Sequence, residues 1–252
     1  MSNVFRNALI AAVALLTPAC LMPALAHAQE AGQEAAQIIT VTKAANLRTL
    51  ADKAGFDGHT PATFTFVVPA RTNILGGSGG ARAIDTGKWP DGVTLSLVVD
   101  GNVYGGGGDG GAGGDIPGPS YGGRGGDAIY VQAPIAITIS AGGSVKAGGG
   151  GGGGGAGPAG SGGGGGFPNG RRGEAGSGVS SSSNIFGEAG RYGTPGGGGR
   201  GGRSGGAGGD GGNTGMPGAE AARPGGGPGD AIRVNGFAVS LSGVGEIRGI
   251  VE

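Results

Sequence analysis

Residues 148 to 170 read GGGGGGGGAGPAGSGGGGGFPNG, and how this stretch is held decides what kind of molecule the chain makes. Glycine keeps one phase at Gly148, Gly151, Gly154, Gly157, Gly160, Gly163 and Gly166, and a second phase from Gly187 to Gly211 over nine consecutive triplets. A three-residue period belongs to neither an α-helix nor a β-strand. It belongs to the left-handed polyproline II conformation, three residues per turn with no internal hydrogen bonds. The backbone must therefore find its partners in water or on neighbouring strands. Water makes a flexible linker. Neighbouring strands make a bundle, in which bare glycine faces let backbones approach closely. Collagen, the third reading, needs abundant proline, yet 187–213 holds only Pro195 and the phase changes at Thr214.

The flanks favour the bundle. Phe64 to Val68 runs through Arg71-Thr72-Asn73 into Ile74-Leu75-Gly76-Gly77. A 29-residue shift without a gap gives Val93 to Leu97, then Asp100-Gly101-Asn102 and Val103-Tyr104-Gly105-Gly106. Ile135 to Ile139 with Val145-Lys146-Ala147-Gly148, and Phe237 to Leu241 with Ile247-Arg248-Gly249, complete four copies. The lead-ins repeat as well, as Arg82-Ala83-Ile84, Asp127-Ala128-Ile129 and Asp230-Ala231-Ile232. Each unit has an apolar face that it cannot bury alone, so stacked units are predicted. In the resulting β-layer Phe66, Leu95, Leu97, Ile137, Ile139, Val239 and Leu241 face inward. Glycine excursions at 76–80, 105–126 and 148–229 then leave this layer and return to it. Loops with fixed ends have already lost part of their ordering entropy.

The first 28 residues read as a secretory leader, with Arg6, an apolar Ala8 to Leu16 and Ala26-His27-Ala28 ahead of Gln29. Its apolar run is too short to span a bilayer. Cys20 lies inside it, in a context (Thr17-Pro18-Ala19) that matches a lipobox poorly. The mature chain is then nearly neutral: 17 acidic residues face 17 − 1 basic ones once Arg6 is removed. That balance gives no electrostatic case for nucleic acid or an anionic membrane. With 69 glycines and 5% aromatics in 252 residues, no conventional core can serve the whole chain.

The fold class that follows is mainly β and irregular, with a small N-terminal helix, a repeated short-strand layer and a polyglycine II bundle. Its expected divisions are the leader 1–28, an N-terminal segment 29–62 with a helix over 44–54, and β-repeats over 63–147 that include the excursion 105–126. A bundle over 148–230 and a closing repeat over 231–252 complete the chain. In the helix, Leu47, Leu50, Ala51 and Ala54 share a face and Gly55 marks the stop.

Asn46-Leu47-Arg48, Ala54 to Asp57, Ala83 to Gly87, Trp89 to Leu95 and Asp100 to Gly105 running into the glycines resemble the glycine-rich tail and tail-fibre proteins of tailed phages and prophages. The glycine-rich half is also similar to the receptor-binding adhesins at the tips of T-even-type long tail fibres. The resemblance implies a sandwich of polyglycine II helices whose connecting loops recognise bacterial surface receptors, without catalysis. A secretory leader departs from that family. It implies an exported surface-recognition scaffold.

The residues carry little other chemistry. The mature chain has one histidine, His59, beside Thr60-Pro61 in a turn, and no cysteine, so no enzymatic function and no cofactor is expected. Gly205 to Asp210 imitates a calcium nonapeptide once, with Gly212 where an apolar residue is needed. Asp127 and Asp230 read as residues that hydrogen-bond the turns returning glycine segments to strands. The candidate site lies in the non-glycine islands, where turns present side chains to solvent. Tyr121, Phe167, Arg171, Arg172, Phe186 and Tyr192 are the expected receptor-binding residues, since aromatics with arginine suit sugar faces or apolar protein patches. Partners would be a cell-surface protein or glycan, and a fibre or appendage protein or a second copy of the chain. A structural envelope or matrix protein and an ice-binding protein are the alternatives.

Overall fold

The computed structural model describes residues 36–115, 118–176, 186–202 and 205–252. The expected leader, Ile116 and Pro117, and the 180–185 part of the largest island lie outside the described residues.

The alternating segments form five successive coils. The first holds β1 (Gln37–Thr40) and β2 (Ala45–Asn46), followed by α1 (Leu47–Lys53). The second holds β3 (Thr63–Val68), β4 (Asn73–Leu75) and β5 (Ile84–Asp85). The third repeats this as β6 (Thr94–Val99), β7 (Asn102–Tyr104) and β8 (Ile129–Tyr130). The fourth is β9 (Ile135–Ile139), β10 (Ser144–Lys146) and β11 (Asp230–Arg233). The fifth is β12 (Val239–Gly243), β13 (Glu246–Arg248) and β14 (Ile250–Val251). Corresponding strands pair in parallel, giving three sheets in the orders β1-β3-β6-β9-β12, β13-β10-β7-β4 and β14-β11-β8-β5-β2. The four-copy β-layer is thus a parallel stack with three sheets around one core, and β1 adds a coil ahead of the first copy.

One correction concerns register. The gapless 29-residue shift holds for the middle sheet, where Asn73 faces Asn102 and Ile74 faces Val103. In the first sheet Phe64 faces Leu95 and Phe66 faces Leu97, two residues further on. The turn after β3 is longer than the one after β6, and Arg71 sits in it at φ 64°. A two-residue slip leaves every side chain on its original face, so alternation alone could not reveal it. The inward ladders are Phe66, Leu97, Ile137 and Leu241 in one sheet, Ile74, Val103, Val145 and Ile247 in the next, and Ile84, Ile129, Ile232 and Val251 in the third.

The two ends of the stack differ. At the first coil α1 covers the core with Leu47 and Ala51, its N-cap Asn46 accepting from the Thr49 amide at 3.1 Å. The helix is shorter than the 44–54 periodicity suggests, because Ala45 and Asn46 are paired with β5. Phe56, Phe64 and Trp89 gather beside it, with the Arg48 guanidinium over Phe56 and Trp89. At the fifth coil, among the described residues, nothing covers the core. Leu241, Ile247 and Val251 are 43%, 36% and 44% exposed, whereas their ladder neighbours Ile137, Val145 and Ile232 are at 0%. The expectation that Val239 and Leu241 lie buried is therefore corrected: Val239 is half-buried and Leu241 exposed. They face inward on a coil that no further coil covers among the described residues.

All three glycine excursions leave from one corner, between the middle sheet and the third, after β4, β7 and β10. In the fifth coil Gly249, at φ +124°, turns the same corner by itself. Along 148–155 successive amides serve three neighbours in rotation. Gly148, Gly151 and Gly154 donate to Gly126, Gly123 and Ser120; Gly149, Gly152 and Gly155 to Phe167, Gly164 and Ser161; Gly150 and Gly153 to Met216 and Ala219. Each of these bonds is 2.8–3.0 Å long. The described glycine segments are thus not a solvated linker, since their backbone groups are spent on each other. The 105–126 excursion belongs to the same lattice: Gly108, Gly111 and Gly114 donate to Gly149, Gly152 and Gly155. Ser161 is a buried exception whose hydroxyl fits because it donates to the Gly199 carbonyl at 2.6 Å and accepts from the Gly208 amide at 2.9 Å.

Candidate functional site

Where the excursions rejoin the stack, four charges lock together. Arg124 reaches Asp127 and Asp230 at 3.1 Å each, and Arg233 reaches Asp127 at 2.8 Å and also contacts Asp230. The Asp127 carboxylate accepts the Asp230 amide at 3.0 Å, so the returns of both long excursions are tied to each other. The aspartates are buried and the arginines partly exposed, so the carboxylates are paired while part of each guanidinium-bearing side chain stays at the surface. The sequence indicates the aspartates as turn residues; their arginine partners, one of them 106 residues away from Asp127, emerge only from the fold.

The six expected receptor-binding residues divide into three situations. Phe167 is only 5% exposed: its ring packs on Tyr104 of β7 at 5.7 Å and on Tyr192 at 6.1 Å. Its amide donates to Gly212 and its carbonyl accepts from Gly149. The next turn residue but one, Asn169, donates to the Gly76 carbonyl at 2.7 Å and accepts from the Gly107 amide at 3.1 Å. Phe167 is thus corrected from a solvent-facing contact to a wedge between stack and glycine lattice. Tyr192, 56% exposed, caps this wedge and donates to Asn73 at 3.3 Å. The Tyr104 phenol beneath is pushed up to about 12, first by burial and then by Tyr192.

Arg171, Arg172 and Phe186 gather at one face with residues 188–195. Asp109 holds the Arg171 guanidinium through Nε and Nη2 at 3.0 and 2.6 Å and accepts the Arg171 amide at 2.8 Å. Burial alone would raise the Asp109 carboxyl; the Arg171 guanidinium and amide outweigh it, and the group sits below the usual carboxylate range. Arg172 lies over the Phe186 ring at 5.3 Å. Arg191 and Thr194 exchange backbone hydrogen bonds across Tyr192-Gly193, with Gly193 at φ +96°, a tight turn that places both ends of the hairpin on one wall. Between these elements opens a cleft of about 600 Å³, lined by Arg171, Arg172, Glu188, Ala189, Arg191, Thr194 and Pro195. Sequence reasoning indicates the first two of these and misses Glu188 and Thr194, whose place depends on the hairpin folding back.

Tyr121 does not line that cleft. It lies on the earlier excursion, exposed, with the Arg223 guanidinium over its ring at 5.4 Å and Arg223 Nε donating to Pro119 at 3.3 Å. Of the six expected residues, Arg171 and Arg172 line the cleft with Phe186 at its rim, and Tyr121 sits beside Arg223.

Comparisons with known proteins agree with this architecture. The chain is similar to a solved structure, the crystal structure of the gp37–gp38 adhesin tip complex of the bacteriophage S16 long tail fibre, at 26% identity and a TM-score of 0.60. The match covers 86% of this chain and 82% of that one. A search of curated proteins finds no match. The family model described as phage tail fibre adhesin Gp38 matches residues 34–252. With the stack and the glycine lattice both inside that match, the chain belongs to the Gp38 phage tail fibre adhesin family.

Proposed function

We propose that this protein is a non-enzymatic adhesin that seats on a fibre through the open fifth coil and contacts a cell-surface receptor through the turns of a polyglycine II-type lattice. The observation that carries the reading is the separation of exposed surface types. Leu241, Val244, Ile247, Ile250 and Val251 put exposed aliphatic surface on the last coil, beside three strand edges that β12, β13 and β14 leave unpaired among the described residues. Such an end favours addition of further β-structure. The relative of known structure was solved as a complex of two tail-fibre proteins, which supports a fibre partner here. The excursion turns carry aromatics and arginines on a backbone held by mutual hydrogen bonds, so little ordering cost remains to be met on binding.

The test uses the purified, fluorescently labelled chain on a panel of bacteria. Wild type should label at least one strain. Two double variants, Phe186→Ala/Tyr192→Ala and Tyr121→Ala/Arg223→Ala, separate the patches, and at least one should lower labelling by tenfold or more with its melting temperature within a few degrees of wild type. Leu241→Asp should leave labelling unchanged and abolish co-purification with a co-expressed fibre protein. Labelling of no strain, or labelling indifferent to both double variants, overturns the reading. The leader-like start, ahead of the family match at residue 34, extends the proposal to an exported protein. N-terminal sequencing should then find Gln29 first, and an intact Met1 refutes export.

A further inference from the structure

We infer that the cleft between the 170–173 turn and the 188–195 hairpin takes a saccharide bearing a phosphate or carboxylate group. The inference rests on the adhesin reading above and specifies its ligand. Three guanidinium groups, those of Arg171, Arg172 and Arg191, line one cleft. Arg171 is neutralised and fixed by Asp109, which makes it a positioned wall. For Arg172 and Arg191 no ion pair is formed among the described residues, and both are exposed. Planar guanidinium forks bind phosphate and carboxylate in a bidentate, charge-assisted manner.

The remaining lining selects a sugar over an acidic peptide. Glu188 places a carboxylate in the same cleft, an acceptor for sugar hydroxyls that would repel a run of peptide carboxylates. Thr194 adds a hydroxyl able to donate or accept, and Ala189 and Pro195 form a small apolar floor against which the C–H face of a pyranose can rest. Phe186, held under Arg172 and still exposed, extends that apolar surface at the rim. The frame is stiff, because the Glu188 amide and carbonyl are engaged with Gly197 and Gly165, and the Gly190 amide with Gly170. A preformed cleft of this kind loses little entropy on binding.

The experiment measures binding of the purified full chain to oligosaccharides of one backbone carrying phosphate, uronate carboxylate or neither, at low salt. Binding at least tenfold tighter for an anionic form than for the neutral one is expected, with the preferred anion naming the group. Arg172→Ala/Arg191→Ala should remove that preference, and Glu188→Ala should weaken the neutral sugar most, because the anionic forms lose a repelling carboxylate together with the hydroxyl acceptor. Raising salt to 0.5 M should reduce the anionic advantage. Equal binding of charged and neutral sugars, or an anionic preference that survives the double arginine variant, overturns the inference. So does binding to none of the sugars when cell labelling still depends on the two arginines, which would assign the cleft to an acidic protein receptor. In that last case the adhesin reading stands; failure of wild type to label any strain removes both.

Discussion

The lattice can be tested with a single methyl group. In Gly152→Ala the added carbon would lie 1.9 Å from the Gly209 carbonyl oxygen and 2.4 Å from the Gly209 carbonyl carbon. Even a close carbon–oxygen contact needs about 3.3 Å, so the two segments must part by more than about 1 Å. Gly152 donates to Gly164 at 2.8 Å and accepts from Gly111 at 2.8 Å, while Gly209 donates to Gly153 at 2.9 Å. Losing two such bonds costs roughly 1 kcal/mol each, with more where a buried donor is stranded. Overpacking adds about 1–3 kcal/mol, for a total of about 3–5 kcal/mol. In a protein of this size that lowers Tm by roughly 6–20 °C. Gly227→Ala is the matched control, because its added carbon meets nothing within 4 Å. It should be neutral or stabilise by up to about 1 kcal/mol, through the lower entropy of the unfolded chain. Thermal unfolding followed by circular dichroism reads both, and amide exchange along 148–155 should speed up only in Gly152→Ala. A Gly152→Ala protein within about 1 kcal/mol of the control would refute the claim that close backbone contact holds the glycine segments.

The remaining predictions concern the stack and its junctions. Leu97→Ala should cost about 2–5 kcal/mol in urea unfolding, whereas Leu241→Ala, its counterpart on the open coil, should cost less than about 1 kcal/mol in the isolated chain; equal costs would mean the fifth coil is covered. Asp127→Ala strips two arginines of a buried partner and should destabilise by about 2–4 kcal/mol. Asp127→Asn, which keeps an acceptor for the Asp230 amide, should recover part of this. The raised Tyr104 phenol has a simple pH signature. Its pKa in the folded state exceeds the unfolded value of 10.0, so its contribution to stability is complete below pH 10 and is lost as pH rises toward about 12. An ultraviolet titration should show one late phenol, and its absence would contradict the packed Tyr104-Phe167-Tyr192 wedge.

The legible part of the candidate site was its chemistry, not its grouping. Arg171, Arg172 and Phe186 stood out as side chains in a run almost without them, and they do share a face. Phe167 stood out for the same reason and is buried, because an aromatic beside a glycine run can fill the seam where that run meets a β-strand. Tyr121 lies under Arg223 and does not line the cleft, although its segment and that of Arg171 border the same strand, through Gly123 to Asp109 and Gly110 to Arg171. Asp109 gives no hint of its role, since the arginine it holds lies 62 residues away.

By itself the sequence determined the local terms: alternation that makes short strands with one apolar face, a repeat that makes those strands stack, and a glycine period of three that sends amides to three sides in turn. These are properties of neighbouring residues, and any fold of this chain must satisfy them. The tertiary structure decided the number of sheets, the two-residue register step between Phe66 and Leu97, the covered first coil and bare fifth coil, and the meeting of three arginines with Glu188 in one cleft. Those depend on turn lengths and on contacts between residues far apart in the chain, where a two-residue change leaves the hydrophobic pattern untouched and moves every cross-strand partner.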